Sequence, residues 1–362
     1  MLESGSCHLR ADPAAAPLPL RRLPLVTLYV SERCNSRCVS CDYWRHGRND
    51  MNLAAVARLL PSLARLRTQV VLLSGGEPLL NPDWAPIAQL LRANGHQVWL
   101  LTSGLALAKH APRAAELFDS ITASLDGTDS ETYAAIRGLD AFDKVCEGIR
   151  AVGAHGLPPS IRVTLQRANY RQLPSFVALT KALGAREVSF LAVDVANPHA
   201  FGRTDDFGAD LALHPEDLPV FDQVLRSLEQ DNAEEFRSGF IAESPQKLRR
   251  LLQYFAAIQG QGTYPPVRCN APEFSAVIGA SGRVQPCFFI SGPPAAQISG
   301  AGAAHDGELA AVLNSNSMVG LRTAIRTGAR IECRTCVCTL WRDPDHIETS
   351  VRTRGPASSA TV

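Results

Sequence analysis

The chain reads as an α/β protein built on a parallel sheet and followed by a smaller, cysteine-rich module. From residue 25 to about 195, short β-branched and aromatic runs alternate with apolar–polar stretches at helical spacing, as successive βα units do. At 362 residues the chain also exceeds one compact domain. The strand-like runs are Leu25–Val30, Val70–Leu73, Gln97–Leu101, Ser120–Leu125, Ile161–Gln166 and Glu187–Val193. Stretches such as Leu53–Leu66, Trp84–Ala93, Phe142–Val152 and Leu173–Leu183 supply the helices between them. Six such units require right-handed crossovers and a parallel sheet, either doubly wound or a partial barrel. Ligands of such folds gather at the carboxyl ends of the strands.

A break containing Gly, Asp and Pro runs from Asn197 to Pro215, and helical stretches follow at Pro215–Asp231 and Ser244–Gln259. A second module begins near Tyr264, with a hairpin over Phe274–Cys287 that turns at Ala280–Arg283. Gly282 supplies the positive φ such a turn needs. One helix is expected over Glu308–Thr327, then a Cys-rich loop. Ser299–His305 reads as a flexible surface loop. The expected division is a disordered lead-in 1–24, a core 25–200, a helical linker 201–263, a second domain 264–345 and a disordered tail 346–362.

With 46% hydrophobic and 20% charged residues and a net charge of +1, the chain has the composition of an ordinary soluble protein. It lacks the field that would attract nucleic acid or an anionic membrane. No apolar run approaches the ~20 residues a bilayer span needs. Arg10, Asp12, Arg21 and Arg22 interrupt any signal-peptide core, so a cytoplasmic location is expected. Ten cysteines, eight of them in two groups, imply a reducing compartment and a metal.

The first group, Cys34, Cys38 and Cys41, lies just past the first strand, on the ligand-binding side. Thiolates are soft ligands suited to iron–sulfur clusters and zinc. A structural zinc site or an ordinary cubane takes four ligands, and this loop offers three. One iron of a three-thiolate cubane is left for a small chelating molecule. The alternatives are a zinc knuckle completed by His46 or a distant cysteine, or three core thiols. The second strand runs into Ser74-Gly75-Gly76-Glu77-Pro78, where two glycines allow close backbone approach to a ligand and the carboxylate can pair with an ammonium. A plain strand-to-helix turn would look the same. The fourth strand ends in Ser124-Leu125-Asp126-Gly127, whose acid is placed either for ribose hydroxyls or for an Asx-turn.

The triplet, GGEP and SLDG, in order on successive strand ends, closely resemble the radical S-adenosylmethionine (radical SAM) superfamily. The resemblance extends through Tyr133–Gly138 and covers roughly residues 25–195. It implies a partial (β/α)6 parallel barrel. It also implies a [4Fe–4S] cluster on Cys34, Cys38 and Cys41, with SAM chelating the open iron through its amino and carboxylate groups. Gly75, Gly76 and Glu77 would then hold the methionine amino group, Ser124 and Arg137 would contact SAM, and Asp126 would face the ribose or shape the strand end. The chain departs from the family pattern at Ser40, where an aromatic residue usually packs on the adenine; Tyr43 and Trp44 are the candidates to replace it.

The second group is Cys269, Cys287, Cys333, Cys336 and Cys338. A cysteine on one hairpin arm and another closing Gly282–Cys287 resemble the SPASM/twitch auxiliary-cluster domain, in its shorter twitch-like α+β form. Cys269, Cys287, Cys333 and Cys336 would hold one auxiliary [4Fe–4S] cluster, with Cys338 as a spare or alternative ligand; a zinc ribbon is the competing reading. Cys7 and Cys146 lie outside both groups, and Cys146 reads as a core residue. The resemblance implies an oxidoreductase that cleaves SAM to a 5′-deoxyadenosyl radical, takes a substrate hydrogen atom and passes the remaining electron to the auxiliary cluster. A reducing donor such as flavodoxin or ferredoxin is the implied partner. The expected substrate is a ribosomally made peptide, with a sugar or aminocyclitol as the rival and a non-catalytic electron carrier as the alternative of another class. Gln166, Arg167, Asp194 and His199 stand at later strand ends, where they face either substrate or solvent.

Overall fold

The computed structural model describes residues 19–197, 200–203, 209–298 and 308–342. Cys7, His199, the Ser299–His305 loop and the expected tail lie outside them. The six expected strands form as β1 (Leu25–Ser31), β2 (Val70–Gly75), β3 (Gln97–Thr102), β4 (Ser120–Ser124), β5 (Ser160–Leu165) and β6 (Glu187–Ala192). The hairpin supplies β7 (Ser275–Ile278) and β8 (Val284–Gln285). Together they make one sheet in the order β6-β5-β4-β3-β2-β1-β7-β8. All neighbours from β6 to β7 are parallel, and only β7–β8 is antiparallel. The architecture is the partial parallel barrel of the α/β class.

The two faces of the sheet differ as strand alternation requires. On β5, Ile161, Val163 and Leu165 are fully buried against the helix layer, while Arg162 and Thr164 on the other face are half-buried. On β6, Val188 and Phe190 join the core, and Phe190 meets Phe176 of the helix Leu173–Ala182 edge-on at 6.2 Å. Burying each such side chain contributes about 1.5–3 kcal/mol, so the helix-facing side fixes the register. The opposite, concave face is left to carry polar groups.

Two expectations are corrected. The end of the lead-in is ordered: Leu23 is fully buried and its amide donates to the Leu66 carbonyl at 2.8 Å. The single helix expected over Glu308–Thr327 is two, Glu308–Leu313 and Asn316–Arg326. Ser315 caps the second, accepting from the Met318 amide at 3.4 Å, and Asn314 exchanges hydrogen bonds of 2.7 and 3.0 Å with the Leu20 backbone. Local side-chain–backbone bonds thus outcompete helix propagation at those two residues.

Candidate cluster and cofactor site

The cysteine loop is held from both sides. Beyond the paired ends of β1 and β2, the Gly76 amide donates to the Ser31 carbonyl and the Glu77 amide to the Arg33 carbonyl, each at 2.7 Å. Gly75 adopts φ +125°, and a Cβ there would overlap the Ser31 carbonyl. A Cβ on Gly76 would overlap the carbonyls of Glu32 and Arg33. The close approach that these glycines allow is therefore first an approach to the cysteine loop itself. Across the loop, the Arg37 and Val39 amides donate to the Arg137 and Ile136 carbonyls at 2.9 and 3.0 Å, from the end of the helix Ser130–Arg137.

Cys34, Cys38 and Cys41 are half-buried free thiols, and Cys34 and Cys41 each sense the charge of Cys38. Burial pushes the Cys34 thiol up to about 11 and the Cys41 thiol up to about 12. The Arg137 guanidinium donates to Cys38 Sγ at 3.4 Å. Among the described residues, no three His, Cys, Asp or Glu side chains stand close enough to grip a single metal ion. The loop offers three thiols, the number that a cubane with one open iron takes.

Glu77 is fully buried at the start of the turn that follows β2. Its Oε1 accepts from the Leu79 amide at 3.1 Å and Thr102 Oγ1 at 2.7 Å, and its Oε2 accepts from the Ser103 amide at 2.7 Å. No Lys, Arg or His pairs with it among the described residues. A carboxylate has about four acceptor positions, so Oε2 keeps one open. Thr102 and Ser103, at the end of β3, are site residues that the sequence reading missed. The signal was there in Thr102-Ser103-Gly104, a polar turn at a strand end like GGEP and SLDG. Ser103 Oγ also reaches Asn35 Oδ1 at 3.0 Å, tying β3 to the cysteine loop.

Asp126 is buried, accepts from the Thr164 amide at 2.7 Å and pairs with Arg137 at 3.2 Å. Burial raises its carboxyl above the usual range, opposed by Arg137 and the Thr164 amide. Of its two expected roles, these bonds fit shaping the strand end: Asp126 aims Arg137 at Cys38. Ser124 ends β4 on the concave face, in register with Arg162 of β5. Tyr43 packs edge-on against Tyr29 at 5.7 Å, Trp44 stacks under Arg45 at 4.5 Å, and the Ser40 carbonyl accepts from Arg203 at 3.1 Å.

The second group is assembled by chain ends that meet. The Asn270 amide donates to the Leu340 carbonyl at 3.1 Å, the Arg342 amide to Asn270 Oδ1 at 2.9 Å, and Thr339 Oγ1 to the Arg268 carbonyl at 2.9 Å. Cys269 and the Cys333–Cys338 loop are thereby brought to the hairpin end that carries Cys287. Burial raises all five thiols, Cys287 to about 12 and Cys333 to about 11. Cys336 senses Cys338, Cys287 and Asp194, whereas Cys338 senses Cys269, Lys247 and Arg162. The two thiols therefore face different neighbours. Cys146 is buried within the helix Phe142–Ala154, as a core residue.

Between the two groups lies Asp194, just past β6. Its Oδ1 accepts from the Ala196 and Asn197 amides at 3.1 Å, while its buried Oδ2 has no hydrogen-bond partner. Arg203 bridges this region, donating to the Asn197 and Ser40 carbonyls at 3.2 and 3.1 Å. Gln166 is buried with an unpartnered amide nitrogen, and Arg167 is committed to Asp217 at 3.1 Å, away from the cysteines.

A parallel partial barrel with a three-cysteine loop locked to a GGEP turn defines a class, and comparison with known proteins says what that part of the chain is similar to. Residues 28–177 match the model of the radical SAM superfamily. Over those residues the chain carries a radical SAM domain. It is 35% identical over 163 residues to a probable GTP 3′,8-cyclase of Methanopyrus kandleri, covering 43% of this chain and 52% of that protein. It is 32% identical over 164 residues to the pre-heme d1 synthase of Dinoroseobacter shibae, covering 43% of this chain and 40% of that one. The chain thus spans about half the length of the curated relatives it matches. Two solved structures share the fold more widely. Streptococcus suis SuiB bound to precursor peptide SuiA has TM-score 0.59 at 13% identity, over 83% of this chain and 67% of its own. AnSMEcpe with bound AdoMet and the Cp18Cys peptide has TM-score 0.62 at 19% identity, over 87% and 86%. Among the described residues no helix is long and apolar enough to cross a membrane.

Proposed function

We propose that the protein is an oxidoreductase that uses SAM to oxidise a carbon centre of its substrate, with residues 25–200 as the SAM module and 264–345 as the module of one auxiliary [4Fe–4S] cluster. The observation that carries this reading is the locked pair of loops, in which a fully buried Glu77, without a cationic partner among the described residues, stands beside the Cys34 thiol. When bound, the first cluster and SAM supply a 5′-deoxyadenosyl radical for hydrogen-atom abstraction, and an auxiliary cluster supplies an acceptor for the electron left behind.

This chain's residues divide the work. Cys34, Cys38 and Cys41 hold the first cluster. Gly75 and Gly76 let the GGEP turn lie flat on the cysteine loop, so Glu77 is fixed before any ligand arrives. Thr102, Ser103 and the Leu79 amide orient that carboxylate and leave Oε2 one position for the ammonium of SAM. Ser124 and Arg137 provide donors for its carboxylate, and Asp126 keeps Arg137 in place. Cys269, Cys287, Cys333 and Cys336 hold the auxiliary cluster. The working partner is a low-potential donor such as flavodoxin or ferredoxin.

The substrate reading is a ribosomally made peptide, supported by two fold neighbours whose structures contain peptides. The second reading, a small molecule, is favoured by the names of the curated relatives, a GTP cyclase and a haem-pathway synthase. The test is anaerobic reconstitution. Two cubanes give about eight irons per chain, and Cys269→Ala should lower this to about four. The reduced wild-type protein should release 5′-deoxyadenosine from SAM, and Cys34→Ala should not. A reconstituted protein that forms none is not a radical SAM enzyme of this kind.

A further inference from the structure

Arg162 stands in the middle of β5, on the concave face of the barrel, flanked in register by Ser124 of β4 and Ser189 of β6. A charged residue inside a parallel sheet is exceptional, because both faces of such strands are normally apolar and a buried charge is retained only when paired. Among the described residues Arg162 has no carboxylate partner, and only the Cys338 thiol senses its charge. Its Nε is buried without a hydrogen bond, and no carboxylate or carbonyl among the described residues accepts from its guanidinium. Of the carboxylates that border this face, Asp194 spends Oδ1 on the Ala196 and Asn197 amides and faces Arg203, and Asp126 and Glu243 are committed elsewhere. Asp126 takes Arg137 and the Thr164 amide. Glu243 takes Ser189 Oγ at 2.8 Å, the Phe190 amide at 2.7 Å and Lys247 at 3.5 Å.

The surroundings of Arg162 suit an anion. Ser124 and Thr164 carry hydroxyls on the same face. Lys247 lies near the end of the same space, where it and Cys338 line a small cavity beside Leu191. A guanidinium with unspent donors forms charge-assisted, two-pronged bonds with a carboxylate or phosphate.

We propose that Arg162 anchors an anionic group of the substrate, a carboxylate or a phosphate, inside the barrel between the two cysteine groups. The inference rests on the proposed function for the word "substrate" and deepens it: the molecule attacked carries an oxyanion at a fixed reach from the carbon to be oxidised. Two other anions compete for the same guanidinium, the carboxylate of SAM and the charge of an auxiliary cluster.

The test uses the full-length, reconstituted protein with SAM bound. Titration calorimetry measures the affinity of two probes, inorganic pyrophosphate for a phosphorylated small molecule and glutarate for an acidic peptide side chain, with wild type, Arg162→Gln and Arg162→Lys. The expected result is that one probe binds wild type, binds Arg162→Gln at least about tenfold more weakly, and binds Arg162→Lys with intermediate affinity. The probe that binds identifies the source of the anion. The proposal is overturned if neither probe binds wild type, if the glutamine variant binds the probe as wild type does, or if its loss falls on SAM affinity or on auxiliary-cluster iron and potential alone. If Arg162→Gln does not fold, the lysine variant and wild type carry the comparison. 5′-Deoxyadenosine formation by wild type, measured in parallel, tests the proposed function separately.

Discussion

At Gly76 a side chain is excluded by backbone, since the Cβ would overlap the Glu32 and Arg33 carbonyls, neither of which can rotate away. Overpacking of this kind costs about 1–3 kcal/mol. Gly76→Ala should therefore lower the melting temperature and lose cluster iron together; a variant with wild-type melting and full iron would show that the two loops need not be locked. The cysteine thiols give a second test in the iron-free protein. Cys34 and Cys41 are raised by burial to about 11 and about 12, above the ordinary value of about 8.5. A raised thiol stays protonated until the pH nears its own value, so alkylation of both at pH 8 should be slower than that of free cysteine and should climb steeply towards pH 11. Mass spectrometry of the alkylated peptides measures this. The cysteines and Glu77 were legible because their chemistry is carried by short spacing. The partners of Glu77 were not, because Thr102 and Ser103 arrive from another strand, 25 and 26 positions on. Arg203, which meets Ser40 from 163 positions away, had no local signature at all.

Strands and helices were legible wherever one face packs on the core, since alternation and helical spacing follow directly from burial. They failed where a side chain preferred its own backbone bond. The break at Asn314 and Ser315 lies inside a stretch of good helical spacing, and only the pairing with Leu20 reveals it. His96, at the turn into β3, offers a test at this scale. It is buried, its Nδ1 lies 2.9 Å from the Thr68 carbonyl, and burial lowers its pKa. The unfolded chain protonates it near pH 6.5, before the folded chain does. The stabilisation is thus full above about 6.5 and is lost as pH falls from there towards the lowered folded value. The urea midpoint should drop between about pH 7.5 and 5.5, and His96→Gln should shrink that drop. An equal drop in both proteins would assign the loss to other groups.

For the whole molecule, the parallel barrel and the two cysteine groups were legible, but their union was not. The hairpin reads in sequence as the start of a separate module, yet β7 lies parallel to β1 and extends the same sheet. Four-residue β7 leaves too weak a pattern to reveal which strand it joins. Apart from half-buried Leu25, β1 is buried along its whole length, so removing the hairpin would leave a long apolar edge. A chain ending at residue 263 should therefore be recovered mainly as aggregate. A soluble, monomeric fragment of that length, seen by size-exclusion chromatography, would show that the first module stands without its partner.

The same pairing sets a timetable for biosynthesis. Leu25 of β1 must find Ser275, which follows it by 250 positions. At the usual synthesis rate of about 5–20 residues per second, β1 waits roughly 12 to 50 seconds for its last neighbour. For most of that interval the first cysteine loop stands outside the ribosome, while the strand that leads into it still has one open side. Chaperone capture and iron delivery to the nascent chain would both meet a half-closed barrel.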